Sequence, residues 1–436
     1  MKMIVNSLMV VADLTTLGPV TAVATPGILR VLSDRTEFRW LWLGNLISVC
    51  GGWFSAVAVF AMVYHHTGAG LAAGATLALR YLPGVLVGGF AGVLADRMDR
   101  RTLMVVTDLA LAGVAGAFLL ADSPRWIWLV YPLTFLSAVT SFAFQAARNA
   151  WMPSLVEPDE YVLFGALVQV NGLLLQAVGG MAGAAAVALV GWRWAFVLNA
   201  ASFLASTWCT LRARGGQRYG ETGTTGRVRF RTALAAGVRH AAQHRQVRAL
   251  LVVEAVFCLG LGAAIVTMTF LATRTYQLGD GGVGWFYAGQ GVAGASVLLF
   301  AAARIQRLPL GRQLTLLGLS CLGEGLATIA FGLAPGVGFA LACWAVASAV
   351  DVLYGPVAIG VLLSNADNAM RGRLMALWSA TATGALALSS LAGGILVDRY
   401  RPGLVAVAAG ALMVAAGATW LTLLRQGYLD VSPTST

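Results

Sequence analysis

Four carboxylates interrupt otherwise apolar stretches of this chain: Asp108, Glu254, Glu324 and Asp351. A charge in an apolar phase is costly unless it is paired or wet, so acids in such places handle protons, ions or polar cargo by default. Arg80 poses the same problem with the opposite sign, and it needs a carboxylate or backbone carbonyls; Asp108 is a candidate partner. Polar residues also recur at helical spacing. Thr134, Ser137, Ser141, Gln145 and Arg148 follow one another at intervals of three and four, and so do Asn45, Ser48, Gly52 and Ser55. Around Asp351, Trp344, Ser348 and Gly355 share a helical face, giving an aromatic wall, a hydroxyl and room for close approach. One such stripe would serve helix packing alone. Three of them, together with the acids, point to a water-filled pathway.

The elements that position these residues follow from composition. Of 436 residues 58% are hydrophobic and 11% charged, too little polar surface for a soluble fold of this length. In lipid the backbone must satisfy its own hydrogen bonds, which leaves helices or closed barrels. The apolar runs are about 20 residues long, the length of a membrane-crossing helix, not of a barrel strand. Spans are expected near 38 to 62, 70 to 95, 103 to 121, 127 to 147, 161 to 190, 192 to 211, 247 to 273, 281 to 303, 311 to 333, 336 to 363, 374 to 396 and 403 to 424.

The expected fold is therefore an all-α membrane protein of twelve transmembrane helices in two pseudo-symmetric six-helix bundles, 38–211 and 247–424. A hydrophilic stretch, 212–246, divides them: a Gly- and Thr-rich linker, then Phe230, Leu234 and Val238 at helical spacing among arginines, the pattern of an amphipathic helix on a membrane surface. A shift of 214 residues lays Gly179 and Gly180 on Gly393 and Gly394, the echo a duplicated unit would leave. Residues 1–37 read as an uncleaved cytoplasmic tail, because Asp13 breaks the apolar run ahead of the signal-peptidase-like Ala22-Val23-Ala24, and 425–436 as a C-terminal tail.

Basic residues translocate poorly and so set orientation. With the N-terminus inside, 23 of the 29 Lys and Arg fall in the cytoplasm, 5 outside (Arg125, Arg193, Arg274, Arg399 and Arg401), and Arg80 within a span. Both termini are then cytoplasmic and the chain sits in the inner, cytoplasmic membrane. The net charge of +11 is a topological and lipid-facing surplus; nucleic-acid binding would need a soluble basic domain, and none is visible.

Between the second and third spans lies GVLADRMDRRTLM, Gly92 to Met104. It resembles the loop signature of the major facilitator superfamily, a Gly, then Asp-Arg four residues on, then a basic pair: Gly92, Asp96, Arg97, Arg100 and Arg101 match, and Asp99 stands where many members have Gly. ARNAWMPSLVEPDE and GWRWAFVLNAASFLAS are similar to the branch containing enterobactin exporters and macrolide efflux pumps. Asp96 falls at a helix C-terminus, an unfavourable place for a carboxylate unless cations or another helix's N-terminus are near. The resemblance implies that it reaches the eleventh span and, with Arg97, Arg100 and Arg101, forms a conformational latch. It also implies that spans one, four, seven and ten line a central cavity. Asp351 and Glu254 would then handle protons or substrate, Asn45, Ser48, Ser137, Ser141, Gln145, Trp344 and Ser348 would line the cavity, and Asp108 and Glu324 would sit on supporting helices.

Other chemistry finds little footing. His240 and His244 are one turn apart without a third ligand, His65 and His66 lie at a span end, and Cys50, Cys209, Cys258, Cys321 and Cys343 all fall inside spans, so no metal or disulfide is expected. No glycine-rich phosphate loop, paired acidic loop motif or cofactor signature is present, so neither ATP hydrolysis nor another enzymatic activity is expected. The fifth span keeps Gly179, Gly180 and Gly183 of a drug-antiporter motif but not its proline, which weakens an antiport reading. The expectation is a monomeric, proton-coupled exporter of a small amphiphilic drug, natural product or siderophore. The alternatives are a proton-coupled uptake permease and, from other classes, a membrane scaffold or polytopic enzyme.

Overall fold

The computed structural model describes residues 36–86, 98–155, 161–214, 230–279, 282–305, 308–364 and 368–429. All regular structure among them is helical. The helices are α1 (Thr36–Thr67), α2 (Gly70–Leu86), α3 (Arg100–Ala117), α4 (Val130–Trp151), α5 (Tyr161–Val190), α6 (Trp192–Arg212), α7 (Phe230–Gln243), α8 (Arg245–Phe270), α9 (Gly282–Ile305), α10 (Leu310–Gly332), α11 (Val337–Ser364), α12 (Asn368–Arg399) and α13 (Pro402–Arg425). By length and composition, 9 described helices can cross a membrane, and shorter apolar helices span Gly70–Leu86 and Leu175–Val190. Large apolar side chains such as Leu120, Leu189 and Leu388 point outward, as a lipid solvent requires. The helix over Phe230–Gln243 falls where the amphipathic pattern placed it, and it packs on α12.

Helix ends follow local chemistry. Asp99 caps α3, its Oδ1 accepting from the Thr102 backbone N–H at 2.8 Å and the Thr102 hydroxyl at 2.9 Å. That gives the acid at this position a structural role. The division between α5 and α6 rests on Gly191 alone, whose φ of +85° only glycine adopts readily.

Successive helices run in alternating directions, so the bundle has two faces. On the face that carries the described chain ends, Arg100 Nη1 donates to Ala150 O at 2.8 Å, Arg101 donates to Leu211 O, and Glu37 accepts from the Arg214 backbone. Both arginines thus cap carbonyls at the C-terminal ends of α4 and α6, where the helix dipole favours cations. On the opposite, distal face Asp122 joins three elements: it accepts from His66 Nε2 and Trp192 Nε1, each at 3.0 Å, and pairs with Arg193. Burial opposes the Asp122 charge, but these donors and the Arg193 guanidinium outweigh it and hold the carboxyl below its ordinary range.

The helices before residue 214 and those after 230 meet through small residues. α2 lies on α12, where a Cβ on Gly70 would stand 2.5 Å from Gly394 O; α9 lies on α5, where a Cβ on Gly284 would stand 2.7 Å from Gly180 O. Gly284 is 214 residues beyond Gly70, and Gly394 is 214 beyond Gly180. One helix contact is therefore built twice, at the offset the internal echo showed. Gly179 and Gly393 match as well, one seated on Trp53 of α1 and the other on Ala263 of α8.

Candidate functional site

A cavity of about 280 Å³ lies among α1, α2, α4 and α6. The stripe on α4 supplies Thr134, Ser137, Ser141 and Gln145, α1 supplies Gly52 and Ser55, and α6 adds Asn199. Phe60, Phe118, Phe142 and Phe203 give it apolar walls, and α2 contributes Thr76, Arg80 and Tyr81. The lining thus combines hydroxyls and amides with aromatic faces.

Other stripe residues are placed elsewhere. Asn45 accepts from Arg148 Nη1 at 2.6 Å, a bond that ties α1 to α4, and neither it nor the buried Ser48 lines the cavity. In α11, Trp344 packs against Phe286 and Phe331, and the Ser348 hydroxyl donates to its own helix at Trp344 O, 3.0 Å. Those two side chains serve packing and backbone satisfaction in this conformation. Gly92, Asp96 and Arg97 lie outside the described residues.

The candidate Arg80–Asp108 pair does not form. Asp108 is fully enclosed between α3 and α6, beside Ser206 and with both carboxyl oxygens unbonded, whereas Arg80 faces the cavity. A helical wheel gives direction but not the neighbour that packing brings, and among the described residues α3 packs mainly on α4 and α6.

The second half of the chain gathers acids instead. Glu254 of α8 accepts from the Tyr354 hydroxyl at 2.5 Å and from Cys258 Sγ at 3.5 Å, with Trp378 beside it. Asp351, one turn before Tyr354 on α11, lies within the electrostatic reach of Glu254, and Glu324 of α10 within that of Asp351. Sequence reasoning set Glu324 apart on a supporting helix; the structure makes it the third member of this cluster. None of the three lines the cavity. His240 and His244 stack with ring centroids 3.8 Å apart, and no group of three metal-ligating side chains occurs among the described residues.

A contact that sequence reasoning missed closes the distal face. Asp398, at the end of α12, accepts from the backbone N–H groups of Gly70 at 2.6 Å and Leu71 at 2.8 Å, so it caps the N-terminus of α2 from the other half. Arg274 stands 3.6 Å from the same carboxylate and donates to Gly68 O. The signal was available: an acid at a helix C-terminus is disfavoured unless cations or another helix's N-terminus are near, and Asp398 ends an apolar run as Asp96 does. Asp398→Ala should weaken distal closure by about 1 kcal/mol, roughly fivefold in the open-to-closed ratio. The check is faster alkylation, from the distal side, of a cysteine placed at Ser55; an unchanged rate would make the contact incidental.

The model for transmembrane secretion effectors matches residues 32–433. Macrolide efflux protein A of Streptococcus pyogenes is 26% identical over 130 residues, which is 29% of this chain and 31% of that protein, so the match spans about a third of this curated relative. Among solved structures, a bacterial homologue of the iron transporter ferroportin in an inward-facing state is 18% identical, covering 88% of this chain and 98% of its own, with a TM-score of 0.66. A nucleoside transporter is 12% identical, covering 89% and 99%, with a TM-score of 0.72. Those likenesses show a shared fold, and the matched model extends over nearly the whole sequence: the chain is a multi-pass membrane protein that belongs to the transmembrane secretion effector family of the major facilitator superfamily.

Proposed function

We propose that this protein is a secondary active transporter that exports a small amphiphilic molecule in exchange for protons, by alternating access between two six-helix halves. The observation that carries the reading is a division of labour: a polar and aromatic cavity in the first half, and a cluster of three carboxylates in the second. Close helix approach at α2–α12 and α5–α9 supports a distal face that seals and unseals. The partial similarity to Macrolide efflux protein A favours export over uptake, with a drug, natural product or siderophore as cargo. The basic loops support an orientation with both termini in the cytoplasm and the distal face outside.

Everted membrane vesicles test this directly. Energised vesicles should accumulate a member of a panel of labelled amphiphiles, macrolides and aromatic acids included, and nigericin, which collapses the pH gradient, should stop it. A cysteine introduced in residues 215 to 229 should be labelled from the exposed face of the same vesicles. Accumulation only in right-side-out vesicles would mean uptake, and no gradient-driven movement of any panel member would defeat the transport reading.

A further inference from the structure

The cavity holds a charge that its walls do not balance. Among the described residues Arg80 is the single fully charged side chain lining it, no carboxylate is part of the lining, and Arg80 forms no ion pair. The described acids stand elsewhere, off the cavity lining. Asp108 is sealed beside Ser206, Asp122 is held by Arg193 and His66, Asp398 caps α2, and Glu254 is bonded to Tyr354. Tyr81 and Tyr287 lie close enough to feel the guanidinium, but neutral phenols do not cancel it.

A guanidinium within a membrane span is disfavoured unless water or a counter-charge reaches it, and Arg80 is exposed, open to both. An occupant can supply the counter-charge. The same walls offer four phenylalanine rings and a row of hydroxyls, so the shape that satisfies them has an aromatic or apolar body and an acidic end. We propose that the cavity binds an amphiphilic anion, its carboxylate, sulfonate or phosphate group paired with Arg80 in the forked geometry guanidinium favours, and its ring system laid among Phe60, Phe118, Phe142 and Phe203. This rests on the transport reading for its purpose but not for its test. At about 280 Å³ the space lies just under the range of roughly 300–1,000 Å³ usual for small-molecule sites, so it encloses a small cargo or one acidic arm of a larger one.

The experiment is equilibrium binding to the full chain in phosphatidylcholine nanodiscs, with two probes that share one ring system: 1-anilinonaphthalene-8-sulfonate, and the uncharged N-phenyl-1-naphthylamine. After subtraction of empty discs, the sulfonate should bind at least tenfold more tightly than the neutral probe. Arg80→Gln should erase that preference and leave the neutral probe within twofold of wild type, and Arg80→Lys should keep part of it. If Arg80→Gln lowers the thermal unfolding midpoint, the salt dependence of sulfonate binding to wild type and to Arg80→Lys decides instead, since charge pairing in an accessible cavity weakens with ionic strength. Equal affinity for both probes, or a sulfonate preference untouched by Arg80→Gln, overturns the proposal. Loss of the sulfonate site when phosphatidylglycerol replaces phosphatidylcholine would assign the counter-charge to a lipid phosphate and overturn it as a cargo site. No gradient is present, so charge preference without transport in vesicles would defeat only the transport reading, and gradient-driven transport without charge preference would defeat only this one.

Discussion

A leucine in place of Gly284 is expected to lower transport at least a hundredfold, to leave the protein folded in the membrane, and to open the cavity to reagents from the distal side. A Cβ at this position would meet Ala184 Cβ at 2.0 Å and Gly180 O at 2.7 Å. Carbon atoms settle near 3.5–4.0 Å, so α5 and α9 would have to part by roughly 1.5 Å at the least, and a full isobutyl group demands more. Neither obstacle is a flexible side-chain tip that could swing aside. Because this contact unites the two halves of the chain, forcing it open removes one end state of the cycle and leaves each half's own core alone. Its counterpart predicts the same of Gly70→Leu, where the obstacle is Gly394 O at 2.5 Å. Gly113→Leu is the control, since nothing lies within 4 Å of a Cβ there. The readouts are gradient-driven transport and the maleimide reactivity of a cysteine at Ser55 from the distal side. Transport within twofold of wild type would show that the tight α5–α9 approach is no part of the cycle.

Much of this architecture was legible in the sequence because hydropathy reports on the solvent, and lipid leaves a chain little choice. Among the described residues helices stand where long apolar runs were read, the run from 70 being described only to Leu86, and the amphipathic pattern around Phe230 located α7. The stripe on α4 was legible for the same reason: Thr134, Ser137, Ser141 and Gln145 share a face by the helical period alone, and all four line the cavity. What failed was pairing. Arg80 and Asp108 are both costly in lipid, and economy suggested a pair, but among the described residues the helix of Asp108 packs mainly on α4 and α6. Which helices meet is decided by small residues such as Gly284 and Gly394, whose importance appears only once the partner backbone is in place. Depth and rotation were equally hidden, which is why Asn45 and Ser48 are placed outside the cavity and Glu324 beside Asp351.

That acid cluster carries the other large expected effect. Asp351→Asn should abolish proton-driven transport, a loss of at least a hundredfold, while exchange of labelled for unlabelled cargo across the membrane with no gradient continues. Three carboxylates on α8, α10 and α11 lie within one another's fields, and no arginine among the described residues acts on them. Groups that interact this way titrate as a unit, so a proton bound by one alters its hold on the others. Asp351 is the member best placed to exchange protons. It is half-buried and makes no hydrogen bond among the described residues, whereas Glu254 is buried and engaged by Tyr354 and Glu324 is buried against its own helix bundle. Glu254→Gln keeps an acceptor for the Tyr354 hydroxyl and should therefore only weaken coupling, by about tenfold at the ~1.4 kcal/mol scale of a charge-assisted hydrogen bond. Members of one network are non-additive, so the Glu254→Gln/Asp351→Asn double variant should be no worse than Asp351→Asn alone. Reconstituted vesicles separate the steps: a pH-gradient assay reads coupling, counterflow reads the cargo-loaded transition, and binding of the cargo reads the site. If Asp351→Asn loses counterflow and binding together, Asp351 holds cargo and not protons. If proton-driven transport persists in the double variant, these two acids do not couple it, and Glu324, the remaining member of the cluster, becomes the next to neutralise.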